Sequence, residues 1–359
     1  MVTIPVALSQ NGYDIVIDRG GLSRAGQAVA TATAARRVAL VSDTNVAPLY
    51  AATVKDSLEA AGIAVQTVAL PAGEESKTDA TLHLLYGLLL DRGFTRGDGI
   101  VALGGGVVGD VAGYAAATLF RGMDWIQLPT SLMAQADSAV GGKTGIDLPQ
   151  GKNLLGAIYQ PKLVLVDPDC LDTLPPRELS SGMAEIIKYG MIADETILKT
   201  LEEPGELRAK LEGLLPRCLA IKAKLVAEDE RDLGVRRLLN FGHTLGHALE
   251  TALDYRCTHG EAVAWGMDTM LYIEKTMQGL DTELLQTRLL WLLEHYGLDS
   301  LDPVPPKTVC RALVAALALD KKGNSKQIQL VQVVTAGKAK LVTVERQRLL
   351  DHLEELGWI

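Results

Sequence analysis

At 359 residues the chain is long enough for two domains. A composition of 48% hydrophobic and 22% charged residues is that of an ordinary globular protein, and a formal net charge of −9 argues against general binding to nucleic acid or anionic membranes. The four cysteines (Cys170, Cys218, Cys257, Cys310) are far apart and form no Cys-x-x-Cys pair, which excludes a cysteine zinc site and fits reduced thiols. The first ten residues, MVTIPVALSQ, show no basic start followed by a long apolar stretch, so the expectation is a cytoplasmic protein. The longest apolar run, from Gly99 to Phe120, is broken by glycines and Asp110 and does not read as a membrane helix.

In chain order, residues 2–8 and 13–18 read as two short strands joined at Asn11-Gly12. A β-branched run at 37–42 predicts a buried strand, followed by a helix over 48–61, a strand at 64–70 and a helix over 78–92. A third buried strand at 99–103 runs through glycines into a helical pattern, DVAGYAAATLF. Strands are expected again at 125–128 and 163–167. Strands alternating with helices predict an α/β domain with a parallel, Rossmann-like sheet covered on both faces. The character changes near Asp172. Beyond Pro176 the pattern is mainly helical, with one extended segment at 328–335. The expected division is therefore an α/β domain over 1–175 and a mainly α-helical domain over 176–359. The cleft between such domains is a common place for a small-molecule site.

Three of the six histidines (His243, His247, His259) fall within seventeen residues. His243 and His247 are four apart and share one face of a helix, with Glu250 and Glu261 close by. Imidazoles and carboxylates suit a divalent ion such as zinc, whereas a helix with hydrogen-bonded histidines is the plain alternative. The run His-Thr-Leu-Gly-His has zinc-protease spacing but lacks the Glu after its first His, so a metal here would polarise a substrate oxygen and not drive peptide hydrolysis.

Gly104, Gly106 and Gly109 satisfy Gly-x-Gly-x-x-Gly between a predicted strand and a predicted helix, a context for binding a pyrophosphate or dinucleotide. A glycine turn needed only for packing remains open at this stage, and the missing Gly-Lys-Ser/Thr ending excludes a nucleotide-hydrolysing P-loop. Gly73-Glu74-Glu75-Ser76-Lys77 reads as helix capping or as a ligand loop at a strand's end. Lys143, Lys152 and Asn153 stand beside glycines, as in a phosphate or carboxylate site or in a solvated surface loop. Glu185 and Lys188 are three apart on one helical face, as in a surface ion pair, but their apolar neighbours also fit a partly buried pair with Glu185 as a metal ligand; Arg236 and Asn240 share a face if their segment is helical. His83, His295 and His352 stand alone and read as structural.

Together the stretches GEESK, GGGVVGD, PTSLMAQADSAVGGKTG, GKNLLGAIYQP, TLPPRELSSGMAEIIKYG, RRLLNFGHTLGHALE and HGEAVAWGM resemble the 3-dehydroquinate synthase family, in its order and from about Asp43 to Lys322. The resemblance implies an NAD-binding α/β domain and a helical, metal-carrying domain. It implies Zn2+ or Co2+ on Glu185, His243 and His259, with His247 contacting substrate. It places NAD contacts on Asp43, Glu74, Lys77, Gly105, Gly106, Val107, Val108, Gly109, Asp110, Thr130, Ser131, Lys143, Lys152 and Thr173. The implied substrate residues are Asp137, Lys143, Lys152, Asn153, Lys188, Lys222, Arg236, Asn240 and His247. It implies a homodimer in which Arg121 reaches the neighbouring site, and a phosphate lysine at Lys321 or Lys322. Two departures are mild: Ser131 stands where the family usually has Thr, and Ala72 where it has Asp.

The activity implied is conversion of 3-deoxy-D-arabino-heptulosonate 7-phosphate to 3-dehydroquinate and phosphate in the shikimate pathway. It proceeds by transient oxidation at C5, β-elimination, reduction, ring opening and aldol closure. The competing expectations are another sugar-phosphate cyclase, a metal-dependent polyol dehydrogenase, and a non-catalytic NAD- or metal-binding module.

Overall fold

The computed structural model describes residues 1–149, 151–254, 256–298, 309, 314 and 326–358. Lys321, Lys322 and Cys310 lie outside the described residues. The chain divides into two units, Met1–Pro175 with Leu215–Arg231, and Pro176–Leu214 with Asp232–Ile359. The segment Leu215–Arg231, assigned to the second half by its helical pattern, is thus grouped with the first. The physical reason is its apolar face: Leu219, Ala223 and Val226 are buried with Ile15, Val164 and Val166 of the sheet.

The first unit contains β1 (Val2–Val6), β2 (Tyr13–Ile17), α1 (Ala25–Ala32), β3 (Arg37–Asp43), α2 (Ala47–Ala60), β4 (Ala64–Leu70) and α3 (Asp79–Asp91). It continues through β5 (Gly99–Gly104), α4 (Gly106–Thr118), β6 (Asp124–Pro129), β7 (Lys143–Leu148), β8 (Gly151–Ile158) and β9 (Leu163–Val166). Seven strands form one sheet in the order β1-β2-β9-β6-β5-β3-β4, parallel except for the β1–β2 pair.

The runs GIVALG and LVLV are apolar because both faces of these strands are covered. Successive side chains point to opposite faces. Val38, Leu40, Val101 and Leu103 pack with Val29 of α1 and with Val54 and Leu58 of α2. Their neighbours Ala39, Val41, Ile100 and Ala102 pack with Leu82, Leu85 and Leu89 of α3 and Val111 of α4. The register pairs Asp43 with Leu70 and Gly104 with Pro129, so these strands send their loops out at one edge. In open α/β sheets that carboxyl edge is where ligands bind.

The hairpin β7–β8 stands apart as a two-stranded antiparallel sheet. Paired strands thus stand where a loop around Lys143 and Lys152 was the plain alternative, and Lys143 is exposed.

The second unit contains α5 (Pro176–Ile192), α6 (Glu195–Glu202), α8 (His243–Ala252), α9 (His259–Gln278), α10 (Glu283–His295), β10 (Gln327–Thr335), β11 (Lys338–Glu345) and α11 (Arg346–Glu355); α7 (Leu207–Glu228) starts in it and ends in the first. The extended segment expected at 328–335 is β10. Its partner β11 was not expected: KAKLVTVE folds back antiparallel after the Ala336-Gly337 turn, with Thr335 opposite Lys338. Among the described residues no helix is long and apolar enough to cross a membrane.

Candidate metal centre and cofactor edge

In the second unit the site begins with three helices in close contact. From Ser181 to Ile192 every residue of α5 is buried, including Glu185 and Lys188. The start of α9 is fixed by a capping box: Thr258 Oγ1 accepts the Glu261 N–H at 3.2 Å, and the Glu261 carboxylate accepts the Thr258 N–H at 2.8 Å. Arg177 Nε and Nη2 each donate to the same carboxylate at 2.9 Å. Glu261, a nearby acid in the sequence, is therefore a cap and ion-pair partner.

Two glycines let the helices touch. A Cβ on Gly260 would lie 2.0 Å from the Ser181 carbonyl oxygen of α5, and one on Gly266 would lie 2.0 Å from the Gly242 carbonyl oxygen beside α8. Only bare backbone fits such approaches. The first residue of α9, His259, is thereby brought to α5 and α8 together.

Glu185, His243 and His259 converge, with one potential ligand atom from each lying within 4.8 Å of the others. The Glu185 Oε1 atom is 3.4 Å from His243 Nε2 and 3.6 Å from His259 Nε2. Ligands about 2.0–2.1 Å from a tetrahedral zinc are separated by about 3.4 Å. The spacing suits an ion held among the three groups. His243 Nδ1 lies 3.1 Å from the Phe241 carbonyl oxygen, an acceptor that places the proton on Nδ1 and leaves Nε2 as a lone pair toward Glu185.

The electrostatics of Glu185 and His243 point the same way. Burial alone would push the Glu185 carboxyl up, but Lys188 and the histidines hold it well below the usual carboxylate range. Burial, aided by Lys188, lowers the pKa of His243 and favours its neutral ring. For His259, burial is outweighed by Glu185 and Glu250, which push it up to about 9. The ring of His247 is exposed, with its centroid 5.5 Å from that of His243 and 5.9 Å from that of His259. It also belongs to a second group, His247, Glu250 and His259, with possible ligand geometry.

The short helix Val235–Asn240 carries Arg236, which is 2% exposed, and ends in Asn240. It is a 3-10 turn. The expectation that these two residues share an α-helical face is corrected, because a four-residue step there rotates by about 120°.

In the first unit most of the residues expected at NAD lie along the carboxyl edge of the seven-stranded sheet, with Lys143 and Lys152 on the β7–β8 hairpin. Asp43 ends β3, Glu74 and Lys77 follow β4, residues 105–110 follow β5, and Thr130 and Ser131 follow β6. The N-cap residue Gly105 provides no side-chain cap for α4. The first amides of that helix are therefore suited to an anion, as a pyrophosphate requires.

Lys77 is 4% exposed, and its Nζ lies 2.6 Å from Asp110 Oδ2 and 2.5 Å from Asn153 Oδ1. Burial would lower its pKa, but Asp110 and Glu74 raise it above the ordinary value, so it stays an ammonium. Lys152 Nζ is 3.1 Å from Glu74 Oε1, and Lys222 Nζ is 2.8 Å from Asp137 Oδ2 and 2.7 Å from its carbonyl oxygen. The Thr173 hydroxyl is 2.5 Å from that of Tyr50. Asp43 Oδ1 accepts the Asn45 and Val46 amides at 2.8 and 2.9 Å, so it also shapes its own turn. Lys143 is exposed at the start of β7.

Two models describe this chain consecutively: 3-dehydroquinate synthase N-terminal over residues 67–181 and 3-dehydroquinate synthase C-terminal over 182–323. The chain belongs to the 3-dehydroquinate synthase family. It is 44% identical over 356 residues to the 3-dehydroquinate synthase of Pelobacter propionicus, covering 98% of both chains. Among solved structures it resembles a 2-deoxy-scyllo-inosose synthase complexed with carbaglucose-6-phosphate, NAD+ and Co2+ (TM-score 0.83, 25% identity, 98% of this chain and 99% of that one). It also resembles the 2-epi-5-epi-valiolone synthase of Streptomyces hygroscopicus with NAD+ and Zn2+ bound (TM-score 0.84, 27% identity, 98% of both chains).

The predicted residues thus fall into two groups, one in each unit. Sequence reasoning noted Glu250 as a nearby acid but gave it no role, and it did not mention Asp147. Asp147 Oδ1 accepts the Asn153 amide at 2.8 Å and its own amide donates to the Lys77 carbonyl at 2.8 Å, which organises the hairpin around Lys77. For Glu250 a signal existed: it is seven residues after His243, on the same helical face.

Proposed function

We propose that the chain is a carbon–oxygen lyase that converts 3-deoxy-D-arabino-heptulosonate 7-phosphate to 3-dehydroquinate and phosphate. It would act in the cytoplasm, in the shikimate route to the aromatic amino acids. The observation that carries the reading is the match to both halves of the family by a chain in which Glu185, His243 and His259 converge.

Glu185, His243 and His259 would hold one divalent ion, Zn2+ or Co2+, which supplies a Lewis acid for a substrate hydroxyl. Asp43, Glu74, Lys77, residues 105–110, Thr130, Ser131, Lys143, Lys152 and Thr173 would hold NAD+, which supplies a hydride acceptor and returns the hydride in the same turnover.

The chain's own residues bind and orient. A substrate with both a phosphate and a carboxylate calls for several fixed cations, and Lys152, Lys188, Lys222 and Arg236 provide them. Asp137 and Asn153 keep Lys222 and Lys77 in place. Asn240 and His247 offer polar groups for hydroxyls. Holding the chain of the sugar acid in one conformation is the main contribution such a protein makes to ring closure. We further infer a homodimer: Arg121 is exposed, and its φ of 62° turns the backbone sharply after Phe120, which suits a side chain that reaches a neighbouring subunit.

The relatives that cyclise other sugar phosphates stand at 25% and 27% identity, against 44% for the dehydroquinate synthase. Incubation with zinc, NAD+ and the heptulosonate phosphate should release phosphate and dehydroquinate in equal amounts. Phosphate release without dehydroquinate would contradict the reading.

A further inference from the structure

Glu250 lies near the end of α8, and its side chain is 3% exposed. Its Oε1 atom is 3.5 Å from His259 Nδ1, while Nε2 of the same ring faces Glu185 Oε1 at 3.6 Å. The imidazole therefore spans two buried carboxylates, one at each nitrogen. For His243 the equivalent Nδ1 position is met by a backbone carbonyl. Both rings thus present Nε2 to Glu185 and Nδ1 to an acceptor.

We propose that Glu250 is a positioning residue of the metal site: it accepts the Nδ1–H of His259, fixes that tautomer and holds Nε2 toward the ion. The inference rests on the reading of Glu185, His243 and His259 as the ligands. Histidine ligands are commonly oriented in this way, and the outer carboxylate also raises the basicity of the ring. A burial of this kind needs a purpose, because a carboxylate out of water is costly unless it is paired. Both histidines open their helices, but Nδ1 of His243 is met by the Phe241 carbonyl, whereas Nδ1 of His259 faces the Glu250 carboxylate.

The test compares the full-length wild type with Glu250→Gln and Glu250→Ala. Zinc affinity is measured by chelator competition, and the melting temperature of each metal-free protein is recorded beside it. One zinc per subunit is expected in all three. Affinity should fall about 10- to 100-fold in the alanine variant and by less in the glutamine variant, which keeps an acceptor but loses the charge. The metal-free melting temperature of Glu250→Gln should stay near that of the wild type. In the zinc-loaded wild type, nitrogen-15 NMR should place the proton of His259 on Nδ1, and the resonance of that N–H should shift in Glu250→Gln, a readout that remains if the alanine protein does not fold.

Wild-type affinity in both variants, or a proton on Nε2, would overturn the inference. So would loss of stoichiometric zinc from Glu250→Gln, which would make Glu250 a ligand in the group with His247 and His259. A wild type that binds no zinc would instead defeat the metal reading itself.

Discussion

Lys188 stands one helical turn after Glu185 on α5, and the ammonium meets the carboxylate with both side chains removed from water. The pair keeps the Glu185 carboxylate ionised where burial would otherwise neutralise it. Removing one partner of such a pair strands the other, at a cost of about 3–5 kcal/mol. Lys188→Met should therefore lower the stability of the metal-free protein by about that amount in urea unfolding. Zinc should restore more stability to the variant than it adds to the wild type, because the ion supplies the missing positive charge. Equal metal-free stabilities would contradict this account of the pair.

The contact of Gly260 with Ser181 predicts a linked loss of packing and metal. In Gly260→Ala the new methyl meets a backbone carbonyl oxygen and α9 must shift. Overpacking of this kind costs about 1–3 kcal/mol. The displacement carries His259 with it, so zinc affinity should fall alongside the melting temperature. A variant that melts lower yet binds zinc as tightly as the wild type would show that the close approach does not position His259.

The two overlapping groups around His259 make opposite predictions for His247. With Glu185, His243 and His259 as ligands, His259→Ala should abolish stoichiometric zinc, while His247→Ala should retain it and lose turnover. Elemental analysis after dialysis decides between them. Zinc lost from His247→Ala and kept by His243→Ala would reverse the assignment.

Glu274 on α9 is 0% exposed, and burial pushes its carboxyl up to about 8 from 4.5. The unfolded chain gives up this proton above pH 4.5, whereas the folded chain keeps it until about pH 8. Over that window the folded state binds more protons, so stability falls as pH rises and levels off above it. The whole effect is on the order of 5 kcal/mol. Glu274→Gln should flatten the decline and be more stable than the wild type at pH 8, as read by urea unfolding across pH. Parallel profiles for the two proteins would contradict the burial argument.

Much of the first unit was legible because its physics is local. Runs such as GIVALG carry their burial in their composition, and the glycines after them mark where the backbone turns. The β7–β8 hairpin was not legible: Leu154, Leu155 and Ile158 are exposed, so the strand has no polar–apolar alternation to betray it. Strand β11 was missed because its alternation is weak and its pairing with β10 depends on a turn. In the candidate site, His243 and His259 stood close enough in sequence to suggest a metal. Glu185 lies far upstream; its apolar neighbours made it a possible ligand, but no spacing rule ties it to the histidines, and only the resemblance grouped the three. The contact of Glu250 with His259 depends on how closely α9 approaches α8, which is a property of packing at Gly266.

The central claim is a phosphate-eliminating cyclase that recycles its NAD. The most direct test supplies zinc-loaded enzyme with excess 3-deoxy-D-arabino-heptulosonate 7-phosphate and a small, fixed amount of NAD+. Phosphate and 3-dehydroquinate are counted together with NADH. The account predicts many equivalents of both products per NAD+, with no net NADH. Turnover that stops after one equivalent per NAD+, with NADH accumulating in step, would contradict it and indicate a dehydrogenase.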